Sequence, residues 1–259
     1  MPSNHFSPFL RTAIEAARAG EKVIQRYYQH NVQVQLKADQ TPVTVADVET
    51  EKAIKAVLQA AFPAHGFYGE ETGREGEGAE YVWLVDPIDG TKSFVRQYPF
   101  FSTQIALLRG GEFILGVSNA PLFGELAYAE RGFGAWLNGK RLAVSDLNDF
   151  GQATLSTGNL KTLAADRARW PALGDLIPQF NRVRGYGDFY HYHLLAAGKI
   201  DAVLESDVAI LDVAALSVLV AEAGGRVTDL YGKPLTLDST TILASNGRLH
   251  DSLLSALNP

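Results

Sequence analysis

Asp86-Pro87-Ile88-Asp89-Gly90-Thr91 follows directly on the apolar run Tyr81-Val82-Trp83-Leu84-Val85. The run reads as a buried strand, so two carboxylates, Asp86 and Asp89, are expected where that strand ends. Such a junction suits a metal ion and a phosphate. Pro87 restricts φ, Gly90 lets the backbone approach a ligand closely, and Thr91 adds a hydroxyl beside N–H groups that can bind an anion. Taken alone, the hexapeptide is equally an ordinary Asp/Pro/Gly turn. The rest of the chain decides between the two.

Upstream, Ser7-Pro8 is a cap and first-turn pair, and Phe9, Leu10, Ala13, Ile14, Ala17, Val23, Ile24 and Tyr27 recur at helical spacing. A second helix is expected from Thr44 through Val48, Ile54, Val57, Leu58 and Ala61, stopping at Phe62-Pro63, with a polar loop from Lys37 to Pro42 before it. Downstream, Gln104 to Leu108, Phe113 to Val117 and Leu126 to Ala129 are strand-like runs, and Asn138-Gly139 marks a tight hairpin turn. After about residue 146 strands and helices alternate, with Asp201 to Glu205 a strand and Val213 to Ala223 a helix ended by Gly224-Gly225. The pattern is α+β followed by α/β, with halves expected at 1–146 and 147–259 and no linker between them.

A chain of 259 residues, 46% hydrophobic and 20% charged, can bury a full globular core. It has no cysteine, which excludes disulfides, thiol catalysis and thiolate zinc sites; any metal must be held by oxygen or imidazole. Oxygen ligands favour magnesium or manganese. A net charge of -6 without a basic run argues against a nucleic-acid surface. Neither a signal-peptide pattern in Met1 to Gly20 nor a long apolar segment is present, so no membrane partner and a cytoplasmic location are expected.

Further acids stand at the ends of expected elements. Glu70 and Glu71 close the short strand before Thr72, Asp47 lies three residues after Thr44, and Asp212 precedes Val213-Ala214-Ala215-Leu216. Each has a local alternative: a solvated loop for Glu70, a capping box for Asp47, an N-cap for Asp212. Capping does not explain why several acids should gather near one DPIDGT segment, where they repel one another unless cations bind them.

Gly69-Glu70-Glu71, Trp83 to Thr91, Leu211-Asp212-Val213-Ala214-Ala215 and Glu222-Ala223-Gly224-Gly225 together resemble the signatures of the inositol monophosphatase family. Lys37, Asp39, Pro42-Val43-Thr44 and Ala46-Asp47 resemble its early motif, so the similarity runs from about residue 37 to about residue 246. One departure is Leu211, where the family usually has Trp. The resemblance implies a layered α-β-α-β-α sandwich of the inositol monophosphatase / fructose-1,6-bisphosphatase type, and a homodimer. It implies that Glu70, Asp86 and the Ile88 carbonyl hold one Mg2+, that Asp86, Asp89 and Asp212 hold a second, and that Glu70 reaches a third, with Mn2+ as a substitute. Asp47 and Thr91 would orient and deprotonate the attacking water, and amides from Gly90 to Lys92 would hold the phosphate.

The leaving group is read elsewhere. Gly187-Asp188-Phe189-Tyr190-His191-Tyr192 resembles the histidinol-phosphatase branch of the family, whose substrate carries an ammonium that Asp188 and Glu205 would bind. The local alternative is that Asp188 caps the helix Phe189 to Ala197. Inositol 1-phosphate, 3′-phosphoadenosine 5′-phosphate and fructose 1,6-bisphosphate stay open as substrates, and a non-catalytic regulatory protein is the reading from another class. His191 and His193, two apart on a helix, do not face one way and are expected to be wall and core residues rather than zinc ligands.

Overall fold

The computed structural model describes residues 6–29, 34–36 and 42–258. Helix α1 (Pro8–Tyr27) starts as its sequence dictates: Leu10 N–H donates to Ser7 Oγ at 3.1 Å, and Pro8 occupies the first turn, where no N–H is missed. A short hairpin of β1 (Val34–Leu36) and β2 (Pro42–Thr44) leads into α2 (Val45–Ala61). Pro42 is therefore a strand residue rather than the end of a loop, while Lys37 and Asp39 lie outside the described residues. Thr44 and Asp47 form the expected capping box, and α2 turns one stripe inward: Ala46, Asp47, Thr50 and Glu51, then Ile54 and Leu58.

Eight strands follow: β3 (Gly66–Gly69), β4 (Gly73–Glu75), β5 (Tyr81–Asp89), β6 (Ser102–Arg109), β7 (Glu112–Ala120), β8 (Glu125–Glu130), β9 (Gly134–Leu137) and β10 (Lys140–Arg141), with the short helix α3 (Thr91–Val95) after β5. They form one sheet in the order β10-β9-β8-β7-β6-β5-β3-β4, antiparallel except where β3 runs parallel to β5. Asn138-Gly139 closes the β9–β10 hairpin with φ of 50° and 79°, the left-handed pair that matches strand twist. The later chain supplies β11 (Thr154–Thr157), α4 (Leu160–Ala165), α5 (Arg169–Leu176), β12 (Arg182–Arg184), α6 (Asp188–Ala196), β13 (Ala202–Ser206), α7 (Ile210–Glu222), β14 (Arg226–Thr228), β15 (Thr241–Ser245) and α8 (His250–Leu257). Its sheet has the order β12-β11-β13-β15-β14, parallel across β12, β11 and β13 and antiparallel beyond.

Alternation along β6 sorts the layers. Ile105 and Leu107 pack with Leu10, Ala13, Ile54 and Leu58 of α1 and α2 on one face of the large sheet. Ala106 and Leu108 face the other way, into a cluster with Phe189 and Leu195 of α6 and Val213, Leu216 and Val220 of α7. That cluster also takes Val203, Ile242 and Ala244 from the small sheet, whose far side packs Leu155, Leu204 and Leu243 against Leu163, Leu173 and Leu253 of α4, α5 and α8. The layers are thus α-β-α-β-α. Helix α7, between two sheets, is apolar almost all round, which hides its helical period in the sequence. It lies so close to β7 that a Cβ on Gly116 would stand 2.2 Å from the Ala215 carbonyl oxygen, so any larger residue there pushes α7 away.

Candidate active site

Strand β5 does not end before Asp86, as its sequence predicts; it runs through to Asp89 with a bulge. Asp86 pairs with Gln104 and Asp89 with Ser102, so three steps on β5 oppose two on β6. The bulge has two effects. It accommodates Pro87, which has no N–H to give to a ladder. It also cancels the alternation that would send side chains three apart to opposite faces, so Asp86 and Asp89 converge. Ile88 N–H donates to Asp86 Oδ1 at 2.9 Å, Thr103 Oγ1 to the Pro87 carbonyl at 2.8 Å, and Ser102 Oγ to Asp89 Oδ2 at 3.3 Å.

Asp212 reaches the same place from the start of α7. The helix begins at Ile210, so Asp212 is inside the first turn rather than an N-cap, and its Oδ2 accepts the Ala209 N–H at 3.1 Å. Asp86, Asp89 and Asp212 each offer an oxygen within 4.8 Å of the others. Burial, then the charges of Glu70, Asp89 and Asp212, pushes Asp86 well above the usual carboxylate range. Asp89 is pushed well up by burial and then by Asp212, Asp188, Glu205 and Glu70, and burial carries Asp212 up to about 7 against the pull of the Ala209 N–H. Acids at this spacing, Asp86 buried and Asp89 and Asp212 half-buried, repel one another, and an oxygen-only donor set of this kind fits a hard divalent cation.

Glu70 follows β3, its N–H bonded to the Val85 carbonyl at 3.1 Å, and both its charge and a side-chain hydrogen bond act on Asp86. The loop after it is held from below: Glu51, fully buried on α2, accepts Glu71 N–H at 2.8 Å and Thr72 N–H at 2.9 Å. Sequence reasoning missed Glu51, although a charged residue on the apolar stripe of α2, one turn after Asp47, is a visible signal. Asp47 Oδ2 accepts both the N–H and the hydroxyl of Thr44 at 2.7 Å, and its Oδ1 receives Thr91 Oγ1 at 3.2 Å. Thr91 Oγ1 also lies 3.1 Å from the Ile88 carbonyl. Gly90 precedes α3 with a left-handed φ of 90°, and the Lys92 side of α3 is exposed.

Asp188 and Glu205 approach from the small-sheet side. No side-chain cap bond forms at the start of α6; Gly187 is the cap residue and Asp188 has φ of 46°, so capping does not account for Asp188. Burial and the neighbouring Glu205 push its carboxyl up to about 6. Glu205 Oε2 accepts Tyr192 OH at 2.7 Å and lies 3.0 Å from His191 Nε2. Ser156 Oγ, which accepts the Tyr186 N–H, lies 3.2 Å from His191 Nδ1, so the ring is held between Ser156 and Glu205. A Cβ on Gly158 would fall 1.7 Å from Glu205 Oε1, so only glycine leaves that oxygen its space. His191 and His193 are both buried, wall and core residues as expected.

A profile of the inositol monophosphatase family matches residues 5–259. The chain belongs to the inositol monophosphatase family. Histidinol-phosphatases of Mycobacterium tuberculosis and Chlorobaculum parvum are 39% and 34% identical to it, covering 94% and 97% of this chain and 95% and 97% of theirs. The solved structure of the extragenic suppressor protein suhB from Bartonella henselae superposes with a TM-score of 0.87 at 32% identity, over 97% of this chain and 98% of that one. The layered sandwich is therefore the family's fold. Membership in this phosphatase family makes a small phosphorylated substrate the expected ligand, and the family's general metal dependence suits the acidic cluster. No helix among the described residues is long and apolar enough to cross a membrane.

Proposed function

We propose that this chain is a magnesium-dependent phosphomonoesterase that cleaves L-histidinol phosphate to L-histidinol and phosphate by direct attack of water, at a site between the halves 1–146 and 147–259. One observation carries the choice of substrate: Asp188 and Glu205 form a second acidic pair close enough to raise the pKa of Asp89. The metal is read to take Glu70, Asp86, Asp89 and Asp212, and Glu205 already meets His191 at 3.0 Å, so it is the carboxyl of Asp188, exposed beside them, that calls for a cation from the substrate. The ammonium of histidinol phosphate supplies one, and inositol phosphate does not. Glu205 Oε2 is occupied by Tyr192 and His191, which leaves Oε1, beside Gly158, to face the substrate.

Glu70, Asp86, Asp89, Asp212 and the Ile88 carbonyl are the residues that would hold the metal. Magnesium bound there would neutralise phosphate charge and would lower the pKa of a bound water from ~15.7 toward ~7. The chain's own part is the movement of a proton. Thr91 Oγ1 has two acceptors in reach, the Ile88 carbonyl at 3.1 Å and Asp47 Oδ1 at 3.2 Å; with its hydrogen turned to Asp47 it keeps a lone pair to accept the proton of the attacking water. As that proton arrives on Thr91, its own passes to Asp47, whose carboxyl burial already raises and so suits to accept it. The amides of Gly90, Thr91 and Lys92 stand at the free start of α3 and would hold the phosphate oxygens. The test is phosphate release from L-histidinol phosphate and from myo-inositol 1-phosphate in parallel, with added Mg2+. A large kcat/KM preference for histidinol phosphate is expected; a preference for inositol phosphate would make Asp188 and Glu205 structural acids.

A further inference from the structure

The face of the large sheet under α6 and α7 is apolar along most of β6 and β7, with Ala106, Leu108 and Ala120 in the core cluster. Next to Asp89 it turns polar. Ser102, Gln104 and Ser118 are buried there, Gln104 standing opposite Asp86 on one side and Ser118 on the other. Packing gives no reason for this, since apolar side chains continue the same face a few residues on. Gln104 even leaves its Oε1 buried without a hydrogen-bond partner among the described residues, a cost the core carries for the direction of its N–H groups.

That direction is consistent from end to end. Gln104 Nε2 donates to Ser102 Oγ at 2.8 Å and to Ser118 Oγ at 3.1 Å, using both of its N–H groups. Ser102 can then donate only outward, to Asp89 Oδ2 at 3.3 Å. Ser118 donates to His193 Nε2 at 2.9 Å, which puts the ring proton on Nδ1, 2.7 Å from Glu125 Oε2. The row begins at one carboxylate and ends at another, with a neutral imidazole between; burial lowers the pKa of His193 and keeps it uncharged.

We propose that Gln104, with Ser102, Ser118 and His193, is a positioning row that fixes the carboxylate of Asp89 for metal binding, and that Glu125 anchors its far end. The proposal rests on the reading of Asp89 as a metal ligand. By donating a hydrogen bond to Oδ2 from a fixed direction, the row sets the plane of the carboxylate and leaves Oδ1 for the cation. Outer hydrogen bonds of this kind are worth about 10–100-fold in metal affinity.

The test is direct titration of the full chain with Mn2+, followed by the loss of the free-ion electron paramagnetic resonance signal, in the parent and in Ser102→Ala, Gln104→Met and His193→Gln. Thermal denaturation of each variant confirms that it is folded. The expected result is a Kd weakened about tenfold in Ser102→Ala and Gln104→Met, by about threefold or more in His193→Gln, and in the double variant Ser102→Ala/Gln104→Met by no more than in either single. Mn2+ affinity within about twofold of the parent in the folded single variants overturns the proposal. So does a loss confined to Ser102→Ala, which leaves a local bond and no row. A parent that binds no Mn2+ overturns the metal-site reading and the row with it, whereas a parent that binds Mn2+ no better than its variants overturns the row alone.

Discussion

Thr91 Oγ1 donates to Asp47 Oδ1 at 3.2 Å, joining residues 44 apart in sequence across the gap between α2 and the end of β5. The same Asp47 closes the capping box at the start of α2, so one carboxylate serves the fold through Oδ2 and the proposed proton path through Oδ1. The two roles separate by mutation. Thr91→Ala leaves the capping box intact and is expected to lower kcat by about 10²–10⁴-fold with KM changed by no more than a few-fold. Steady-state kinetics on histidinol phosphate decides it, and a KM effect larger than the kcat effect would assign Thr91 to binding instead.

The acidic cluster should make the metal-free protein sensitive to alkali. Asp212 titrates at about 7 and Asp188 at about 6 in the folded chain, above the ordinary value of 3.8. The folded state therefore binds more protons than the unfolded one across that window. Stability from these groups is complete below the ordinary carboxylate value and is lost as pH rises toward their folded values. In the presence of a chelator, the Tm at pH 8 is expected to lie several degrees below that at pH 5, and Mg2+ should restore it at pH 8. Asp89→Asn should abolish turnover while raising the metal-free Tm at pH 8, since it removes repulsion rather than core volume. A fall in that Tm would show that the cluster is not strained.

Much of this site is written locally in the chain, and some of it is not. The Ser7 cap, the Thr44–Asp47 box and the Asn138-Gly139 hairpin are short-range devices, and the sequence shows each in its place. The continuation of β5 through Asp86-Pro87-Ile88-Asp89 was hidden, because Pro87 and Gly90 read as turn residues and the bulge that reconciles them depends on the partner strand β6. The start of α7 was misplaced by three residues because Ile210 and Leu211 are buried between sheets and carry no amphipathic mark. Glu51 and Gln104 escaped notice for a related reason. Glu51 shows only as a charge on the apolar stripe of α2 and Gln104 has no local mark, while their partners at Glu71 and Ser118 are set by tertiary packing.

Glu51 has a consequence for stability. From a fully buried position it accepts the N–H groups of Glu71 and Thr72, and replacing it with Ala removes that acceptor from both. Both bonds are only part-buried and Thr72 is exposed, so Glu51→Ala should lose about 1.5–3 kcal/mol in urea denaturation, the worth of one hydrogen bond to a charged group. Glu51→Gln keeps one acceptor oxygen and should lose less than half as much. Equal losses would mean that shape, and not the pair of hydrogen bonds, sets the contribution.

The proposed choice of substrate turns on Asp188. Its carboxyl stands at the start of α6 without capping it, held in a left-handed conformation that a residue other than Gly adopts at a cost. If that cost serves an ammonium, removing the charge should matter only for substrates that carry one. Asp188→Ala is expected to raise KM for L-histidinol phosphate by about tenfold, the worth of one charge-assisted hydrogen bond, and to leave KM for myo-inositol 1-phosphate nearly unchanged. The parent should also lose affinity for histidinol phosphate as pH falls through about 6, because protonation removes the charge that binds the ammonium. Both esters share the phosphate's own ionisation at ~6, so the part due to Asp188 is the inflection that Asp188→Ala removes on histidinol phosphate alone. Equal KM increases on both esters would return Asp188 to a purely structural place in α6.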